Sequence, residues 1–294
     1  MIAVEDLRKR YGKTYAVDGL SFTVETGNVV GFLGPNGAGK TTTLRILLGL
    51  VHANAGSATI DSKRYGELTH PAMKVGAVLE ASGFHPGRKA RNHLRVLARA
   101  SGIRESRADE VLELVGLSEA SKKRVGAFSL GMRQRLALAA AMLGDPQVLI
   151  LDEPANGLDP EGMRWLRDML RSLAAEGRAV LVSSHVLSEV EQTADSVVII
   201  NKGKFVAKGT VEELTRGIDG GVSVRSPQAE QLEQKLVTAG MKVERNENAL
   251  VVHGGTSAEV GEIACKESLI LHELAPQASQ LEDVFLNLTS EAPQ

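Results

Sequence analysis

The sequence predicts an α/β protein built on a mostly parallel, doubly wound sheet, and three observations lead to this fold class. Short runs of branched apolar residues, at 148–151, 179–182 and 197–200, are typical of strands buried on both faces. Segments with a helical spacing of apolar residues separate these runs. A glycine-rich loop follows a further apolar run and leads into a helix that Gly49 closes. Strands that alternate with helices in this way form a parallel sheet.

The bulk properties of the chain exclude several classes of protein. Its 294 residues suffice for one large domain and a small one. The formal net charge of −2 lacks the excess typical of bulk binding to nucleic acid or membrane surfaces. No apolar run approaches the roughly 20 residues of a membrane helix, and the N-terminus lacks a signal-peptide core. The single cysteine, Cys265, fits a reducing cytoplasm, so any membrane role requires a partner subunit.

The first half of the chain predicts strands followed by a helical insertion. Residues 2–30 indicate short antiparallel strands broken by Gly12, Gly19 and Gly27. Residues 75–79 form another predicted strand. The stretch 92–144 is rich in Leu, Ala and Arg with helical spacing, which predicts two or three helices and no strand. We therefore expect a helical subdomain over about 86–145.

The second half predicts one further helix and then a separate domain. Segment 158–177 places apolar residues on one face for core packing and stops at Gly177; the face comprises Met163, Leu166, Met169, Leu170 and Leu173. The sequence texture changes after residue 217, which predicts domains at 1–217 and 218–294. The order β-α-β-β-α-β over the second domain, with its last strand in SLILHEL (268–274), is compatible with a small ferredoxin-like α+β domain. A terminal helix with Leu281, Val284, Phe285 and Leu288 on one face follows. This domain shows no chemical motif, and a dimer contact or regulatory role is expected.

Residues 34–41, GPNGAGKT, match the pattern G-x-x-x-x-G-K-T of a phosphate-binding loop. Glycines let successive backbone N–H groups turn toward phosphate oxygens, Lys40 supplies a positive charge, and the Thr41 hydroxyl can ligate Mg²⁺. The alternative, a glycine-rich surface turn, is disfavoured by the strand and helix signals on either side. The predicted nucleotide-binding residues here are Asn36, Gly37, Ala38, Gly39, Lys40, Thr41 and Thr42.

A second motif, VLILDEP at 148–154, ends a buried strand in two carboxylates. Ligands of open α/β folds bind at this edge of the sheet. We expect Asp152 to hold Mg²⁺ and Glu153 to accept a proton from the water that attacks the γ-phosphate. An acidic pair that merely ends the strand as a turn is the alternative, which the phosphate loop upstream disfavours.

With FSLGMRQRLALAAAML upstream of that strand, residues 1 to about 217 resemble the ATPase subunits of ABC transporters. The resemblance implies a P-loop NTPase core with an N-terminal antiparallel β subdomain. The family's signature motif matches at 128–132, where Ser129 is a good N-cap for a helix running to Gly144. In the family this helix N-terminus faces the γ-phosphate held by the other subunit. The resemblance therefore implies contacts to ATP from Ser129, Gly131 and Met132.

The same resemblance implies further roles for single residues. Tyr11 matches the aromatic residue that stacks on adenine, and Val17 lies where the ribose is contacted. Asp159 is the acidic residue of the loop PANGLDP, which crosses the dimer interface in the family. His185 matches the histidine that contacts the γ-phosphate and links it to Glu153.

This chain departs from the family pattern at two places. Glu80 stands where the family has a glutamine that offers an oxygen to Mg²⁺ and the attacking water; a carboxylate retains that oxygen and adds a charge. In the signature, Leu130 replaces the first glycine and Met132 replaces the glutamine. Ser129 and Gly131 are retained, so function is expected.

The resemblance implies a homodimer that binds two ATP–Mg²⁺ and drives a separate transmembrane permease subunit from the cytoplasmic face of the membrane. The permease is expected to dock near Glu80 and the helical insertion. The segments GFHPGRKARNHL and LEDVFLNLT resemble the antibiotic and multidrug export branch, which implies export of a drug, antibiotic or lipid-like compound. A non-transport ATPase of this superfamily acting on DNA or ribosomes is the alternative. Long coiled coils, zinc-binding cysteines or a second cassette would favour it, and the sequence has none, so no nucleic acid partner is expected.

Overall fold

The computed structural model describes residues 1–79, 83–215, 221–246, 249–276 and 285, and the chain divides into two compact units, Met1–Val211 and Glu212–Gln294. The strands are β1 (Ile2–Tyr11), β2 (Thr14–Val24), β3 (Val29–Leu33), β4 (Ala55–Ile60), β5 (Val75–Val78), β6 (Val148–Asp152), β7 (Ala179–Ser184), β8 (Ser196–Asn201), β9 (Lys204–Gly209), β10 (Val222–Arg225), β11 (Lys242–Asn246), β12 (Ala249–His253) and β13 (Glu273–Pro276). The helices are α1 (Lys40–Leu47), α2 (Pro71–Lys74), α3 (Ala90–Ala100), α4 (Arg107–Leu114), α5 (Leu130–Ala141), α6 (Pro160–Ala175), α7 (Leu187–Glu191), α8 (Val211–Thr215), α9 (Ala229–Thr238) and α10 (Ser257–Lys266). None of the helices described is long and apolar enough to cross a bilayer.

The central sheet of the first unit has the order β5-β6-β7-β3-β8-β9, with β9 antiparallel to five parallel strands. Successive residues of its strands enter different cores. Val148 and Ile150 pack on one side, and Leu149 and Leu151 on the other. Both faces are covered, as the apolar runs predicted. Because β7 lies between β6 and β3, the ends of all three strands meet at one edge of the sheet.

The N-terminal β subdomain is a three-stranded antiparallel sheet of order β2-β1-β4. Antiparallel strands with breaks at Gly12 and Gly27 were predicted correctly, but β1 and β2 are longer than expected, with 10 and 11 residues. Gly19 does not end a strand. It is an extra residue in a bulge, with φ 74°, because Leu7 pairs with Leu20 while Arg8 pairs with Asp18. Strands β4 and β9 had not been predicted.

The helical insertion contains three helices, α3, α4 and α5, and none of its described residues lies in a strand, as predicted. Helix α5 ends at Ala141, three residues before the expected Gly144. The chain turns there to enter β6, with Asp145 in the left-handed region at φ 52°. Gly144 sits so close to α2 that a Cβ atom would clash with the Ala72 carbonyl oxygen.

Helix α6 presents Leu166, Met169, Leu170 and Leu173 to the core, as expected, and Gly177 follows its end at φ 91°. Met163, which was predicted on the same face, is only half-buried.

The second unit is a four-stranded antiparallel sheet of order β11-β12-β10-β13 with helices α9 and α10. Its element order is the predicted β-α-β-β-α-β of a split βαβ arrangement. The last strand, predicted around SLILHEL, begins near the end of that segment at Glu273 and runs to Pro276. The first residues of that segment end α10: Ser268 adopts φ 55°, and the Leu269 N–H donates to the Ala264 carbonyl. Apart from Phe285, the predicted terminal helix lies outside the described residues.

Candidate nucleotide-binding site

The loop 34–39 connects β3 to α1 and has a conformation that depends on glycine. Gly39 is the N-cap of α1, with φ 106°, and a Cβ atom there would clash with the carbonyl oxygen of Ala16. The Gly203 N–H donates to the Ala38 carbonyl oxygen over 2.9 Å, which fixes the loop from the β8–β9 turn. The first turn of α1 carries no acidic side chain. Its free N–H groups and helix dipole therefore form a site suited to phosphate.

Lys40 lies buried at the start of α1, with 7% of its surface exposed. Its ammonium group donates to the Gly34 carbonyl oxygen over 2.7 Å and lies 3.6 Å from Glu153 Oε1. The lysine side chain therefore lies back across the loop, and its charge is held between the loop and the acidic end of β6.

Asp152 ends β6 as a buried carboxylate held by two hydroxyls. The Thr41 hydroxyl donates to Oδ2 over 2.7 Å, and the Ser183 hydroxyl donates to Oδ1. Mg²⁺ in nucleotide sites is bound through one or two carboxylates together with phosphate oxygens. A carboxylate and a hydroxyl side by side next to the phosphate loop fit that donor set. No group of three or more His, Cys, Asp or Glu within the described ranges could hold a metal by itself.

Glu153 has a left-handed backbone at φ 49°, which is strained for a side chain of this size. Its N–H donates to the Ser183 carbonyl at 3.2 Å and faces the Ser183 hydroxyl at 3.1 Å. These bonds to β7 turn the carboxylate toward Lys40 and His185. His185 Nδ1 lies 2.7 Å from Glu153 Oε2, which leaves Nε2 of the ring available to another group.

The signature segment 128–132 lies at the start of α5. The Met132 N–H donates to the Ser129 hydroxyl over 3.2 Å, so Ser129 is the N-cap, as predicted. Ser129 is exposed. Leu130, which replaces a glycine of the family motif, lies against Gly157, where a Cβ atom would collide with its side chain. The signature of this chain thus contacts its own loop 154–160.

Tyr11, Val17 and Asp159 take no part in the hydrogen bonds described above between the phosphate loop, β6 and β7. Tyr11 is 52% exposed at the tip of the β1–β2 hairpin, with the Lys9 ammonium 5.1 Å from its ring centroid. Val17 is fully buried on β2 and lies beside Gly39 of the phosphate loop. The Asp159 carboxylate caps α6 by accepting from the Gly162 N–H at 2.9 Å. Glu80 lies outside the described residues.

Ser183 is the residue of this cluster that sequence reasoning missed. It lies on β7 opposite Asp152 in the parallel register and bonds to both Asp152 and Glu153. The available signal was the pair Ser183–Ser184, two hydroxyls that end an otherwise apolar strand directly before His185.

A phosphate loop and a strand ending in two carboxylates, on a parallel sheet, define the class of nucleotide-hydrolysing P-loop proteins. The family model described as ABC transporter matches residues 17–156, and one for a domain of unknown function matches residues 220–282. The bacitracin transport ATP-binding protein BcrA of Bacillus licheniformis is 37% identical over 98% of this chain and 97% of its own length. The lantibiotic transport ATP-binding protein SrtF of Streptococcus pyogenes is 37% identical over 70% of this chain and 89% of its own length.

A solved structure described as the ATP-binding subunit of an ABC transporter is 30% identical, with a TM-score of 0.67, and the match covers 74% of this chain and 92% of that chain. This chain therefore belongs to the family of ABC transporter ATP-binding proteins. It binds ATP and is an ATPase.

Proposed function

We propose that the chain is the ATP-hydrolysing subunit of an exporter, and that two copies act together on a separate transmembrane permease. One observation carries the proposal. The Asp152–Thr41 pair and the Glu153–His185 pair both lie where the phosphate loop meets β6 and β7. Thr41 and Asp152 would hold Mg²⁺, which neutralises charge on the phosphate oxygens.

Each polar residue has a separate role in this proposal. Lys40, already held over the loop, balances the charge of the β- and γ-phosphates. Glu153 accepts a proton from the attacking water. Its carboxylate is already oriented before substrate binds, because His185 contacts one oxygen and Lys40 lies near the other. The free Nε2 of His185 can then reach the γ-phosphate.

The second half of each ATP site is proposed to come from the partner copy. Ser129 is exposed at the N-terminus of a 12-residue helix whose first turn contains no acidic side chain. Such a helix end attracts an anion. Gly131 belongs to the same helix end and packs closely against Gly157 of the loop that contains Asp159. The Met132 N–H already bonds Ser129, so its contribution is to hold the cap.

The permease contact is proposed at a groove that includes Leu50, Tyr65, Leu79 and Gly83. Leu50 is 65% exposed and lines this groove together with Tyr65, which gives the groove an apolar surface. Docking there would hold the chain at the cytoplasmic face of the membrane as a peripheral subunit. Relatives named for bacitracin and lantibiotic transport support an antibiotic, drug or lipid-like cargo.

A complementation experiment tests the shared site. Ser129→Asp keeps a good N-cap but places a negative charge against the phosphate, and Ser129→Asn keeps the cap without the charge. We expect the Asp variant to lose ATPase activity and the Asn variant to retain most of it. Mixing the Asp variant with a Lys40→Ala variant should restore roughly a quarter of the wild-type rate, because half of the dimers then contain one intact site. Full activity of either single variant, or of a provably monomeric chain, would contradict the proposal.

A further inference from the structure

A second cavity, of about 520 Å³, lies between α6, α7 and the ends of β3 and β7. This volume lies in the range of sites for small organic ligands. Its walls are mainly apolar, from Leu166 and Leu170 on α6, Val182 on β7, and Val186 and Val190 at α7.

The side chains that line this apolar cavity include two arginines and one glutamate, so positive charge exceeds negative charge. Arg164 and Arg167 of α6 line it, and neither guanidinium has a hydrogen bond or ion pair with any residue that the structure describes. The one carboxylate in the lining is Glu189. Burial, and secondarily the nearby charge of Glu153, raise the pKa of Glu189, while Arg167 and His185 partly oppose that shift. Arg167 therefore faces a carboxyl group that takes up a proton more readily than usual, and the exposed Arg164 lines the same cavity.

We propose that this cavity binds a small amphipathic anion, with the apolar part between α6 and β7 and the carboxylate, sulfonate or phosphate at Arg164 and Arg167. A charge-assisted hydrogen bond from Arg167 to the anion gives this guanidinium a partner that no described residue of the protein provides. The apolar walls exclude a bare inorganic anion as the main ligand, because they offer it no compensating contacts for lost hydration.

Occupancy of the cavity is coupled to ATP hydrolysis through the end of β7, and this step rests on the proposed function. Ser183 and Ser184 line the cavity, and Ser183 also bonds Asp152 and the Glu153 N–H. The Val186 N–H donates to the Ser184 hydroxyl over 2.9 Å and sets the path of the chain through His185 into α7. A ligand under this one-turn helix therefore fixes the segment that carries His185.

The chain contains one tryptophan, Trp165, which lies on α6 between Arg164 and Leu166. Energy transfer from this residue to 8-anilinonaphthalene-1-sulfonate, an aromatic sulfonate, reports binding near α6 in the full-length protein. We expect saturable transfer from the wild type. Arg167→Gln should weaken binding about tenfold or more, since it removes a charged hydrogen-bond donor. Arg171→Gln, on the exposed face of the same helix, is the matched control and should bind as the wild type does.

Competing ligands test the chemical class without any variant. Octanoate should displace the probe, whereas octanol and acetate, each lacking one half of the ligand, should require at least tenfold higher concentrations. Equal displacement by octanol, or equal probe affinity of the Arg167→Gln variant, would overturn the assignment. Octanoate should also change the ATPase rate of the wild type and of Arg171→Gln but not that of Arg167→Gln. If octanoate binds but leaves the ATPase rate of the wild type unchanged, only the coupling between the cavity and ATP hydrolysis is overturned. If the wild type shows no ATPase activity without octanoate, the proposed function is overturned instead.

Discussion

The His185 ring and the Glu153 carboxylate form a direct pair, with Nδ1 of the ring 2.7 Å from Oε2. The other carboxylate oxygen, Oε1, lies 3.6 Å from the Lys40 ammonium. Glu153 is thus held from both sides, and its own backbone is strained at φ 49° to reach this position. Strain of this kind persists where the surrounding structure fixes a functional geometry.

Replacing Glu153 with glutamine tests its role as a proton acceptor. Glu153→Gln retains the shape of the side chain but removes the basic oxygen, so we expect turnover to fall about a hundredfold or more. ATP binding should persist, and closed dimers should accumulate with ATP in size-exclusion chromatography. Glu161→Gln, at an exposed carboxylate in the first turn of α6, is the control. Normal phosphate release by Glu153→Gln would rule out this role.

Three substitutions of His185 separate its two contacts. His185→Ala should lower kcat roughly ten- to a hundredfold with a smaller effect on KM, because the carboxylate loses its orienting partner. Asparagine places an amide near the Nδ1 position and glutamine places one near Nε2. Both variants should therefore show intermediate turnover in steady-state assays. An alanine variant with wild-type kcat would show that the contact to Glu153 has no catalytic consequence.

The local sequence pattern predicted those elements that are specified by residues close together in the chain. The branched run before Asp152 predicted β6, and the glycines around Lys40 predicted the loop. Ser129 was predicted to cap α5, and the cap is present. Contacts between distant segments left no such signal. The role of Ser183 depends on β7 lying beside β6, and the burial of Val17 depends on packing within the N-terminal sheet. The bulge at Gly19 likewise follows from cross-strand pairing, which a single strand sequence does not reveal.

Removing the Lys40 charge should mainly weaken the binding of ATP, rather than slow the hydrolysis of ATP that is already bound. Lys40→Met keeps much of the buried aliphatic stem, whereas Lys40→Ala also leaves a void. We expect both to weaken ATP binding roughly ten- to a hundredfold, because each loses a charge-assisted contact to phosphate. Equilibrium titration with a fluorescent ATP analogue measures this effect. Unchanged affinity in both variants would place the lysine outside the nucleotide contacts.

Two glycines of the phosphate loop separate steric clash from backbone strain. Gly39→Ala combines φ 106° with a clash against the Ala16 carbonyl, whereas Gly37→Ala has φ 82° but no atom within 4 Å of the added Cβ. Strain alone costs about 1–3 kcal/mol, so both variants should unfold at lower temperature than the wild type. Gly39→Ala should lose more stability and should also lose ATP affinity. Equal thermal shifts for the two variants would show that the loop moves away from Ala16 at little cost.

His93 on α3 gives the stability of the helical insertion a pH dependence of defined sign. The ring is 6% exposed, and its Nδ1 has no hydrogen-bond partner among the residues described. Burial, and then the charge of Arg88, lower the pKa of His93 below its ordinary value of about 6.5. The neutral ring, which meets Phe84 edge to face, is therefore favoured in the folded state. The contribution of the neutral His93 ring to the free energy of unfolding is fully present above about pH 6.5. It is lost as the pH falls from there toward the lowered pKa, because the unfolded chain binds a proton at His93 that the folded chain does not. Urea denaturation should show that His93→Phe loses less stability than the wild type between about pH 7.5 and about pH 5.5. Identical losses for the two proteins would show that His93 does not contribute to the acid sensitivity.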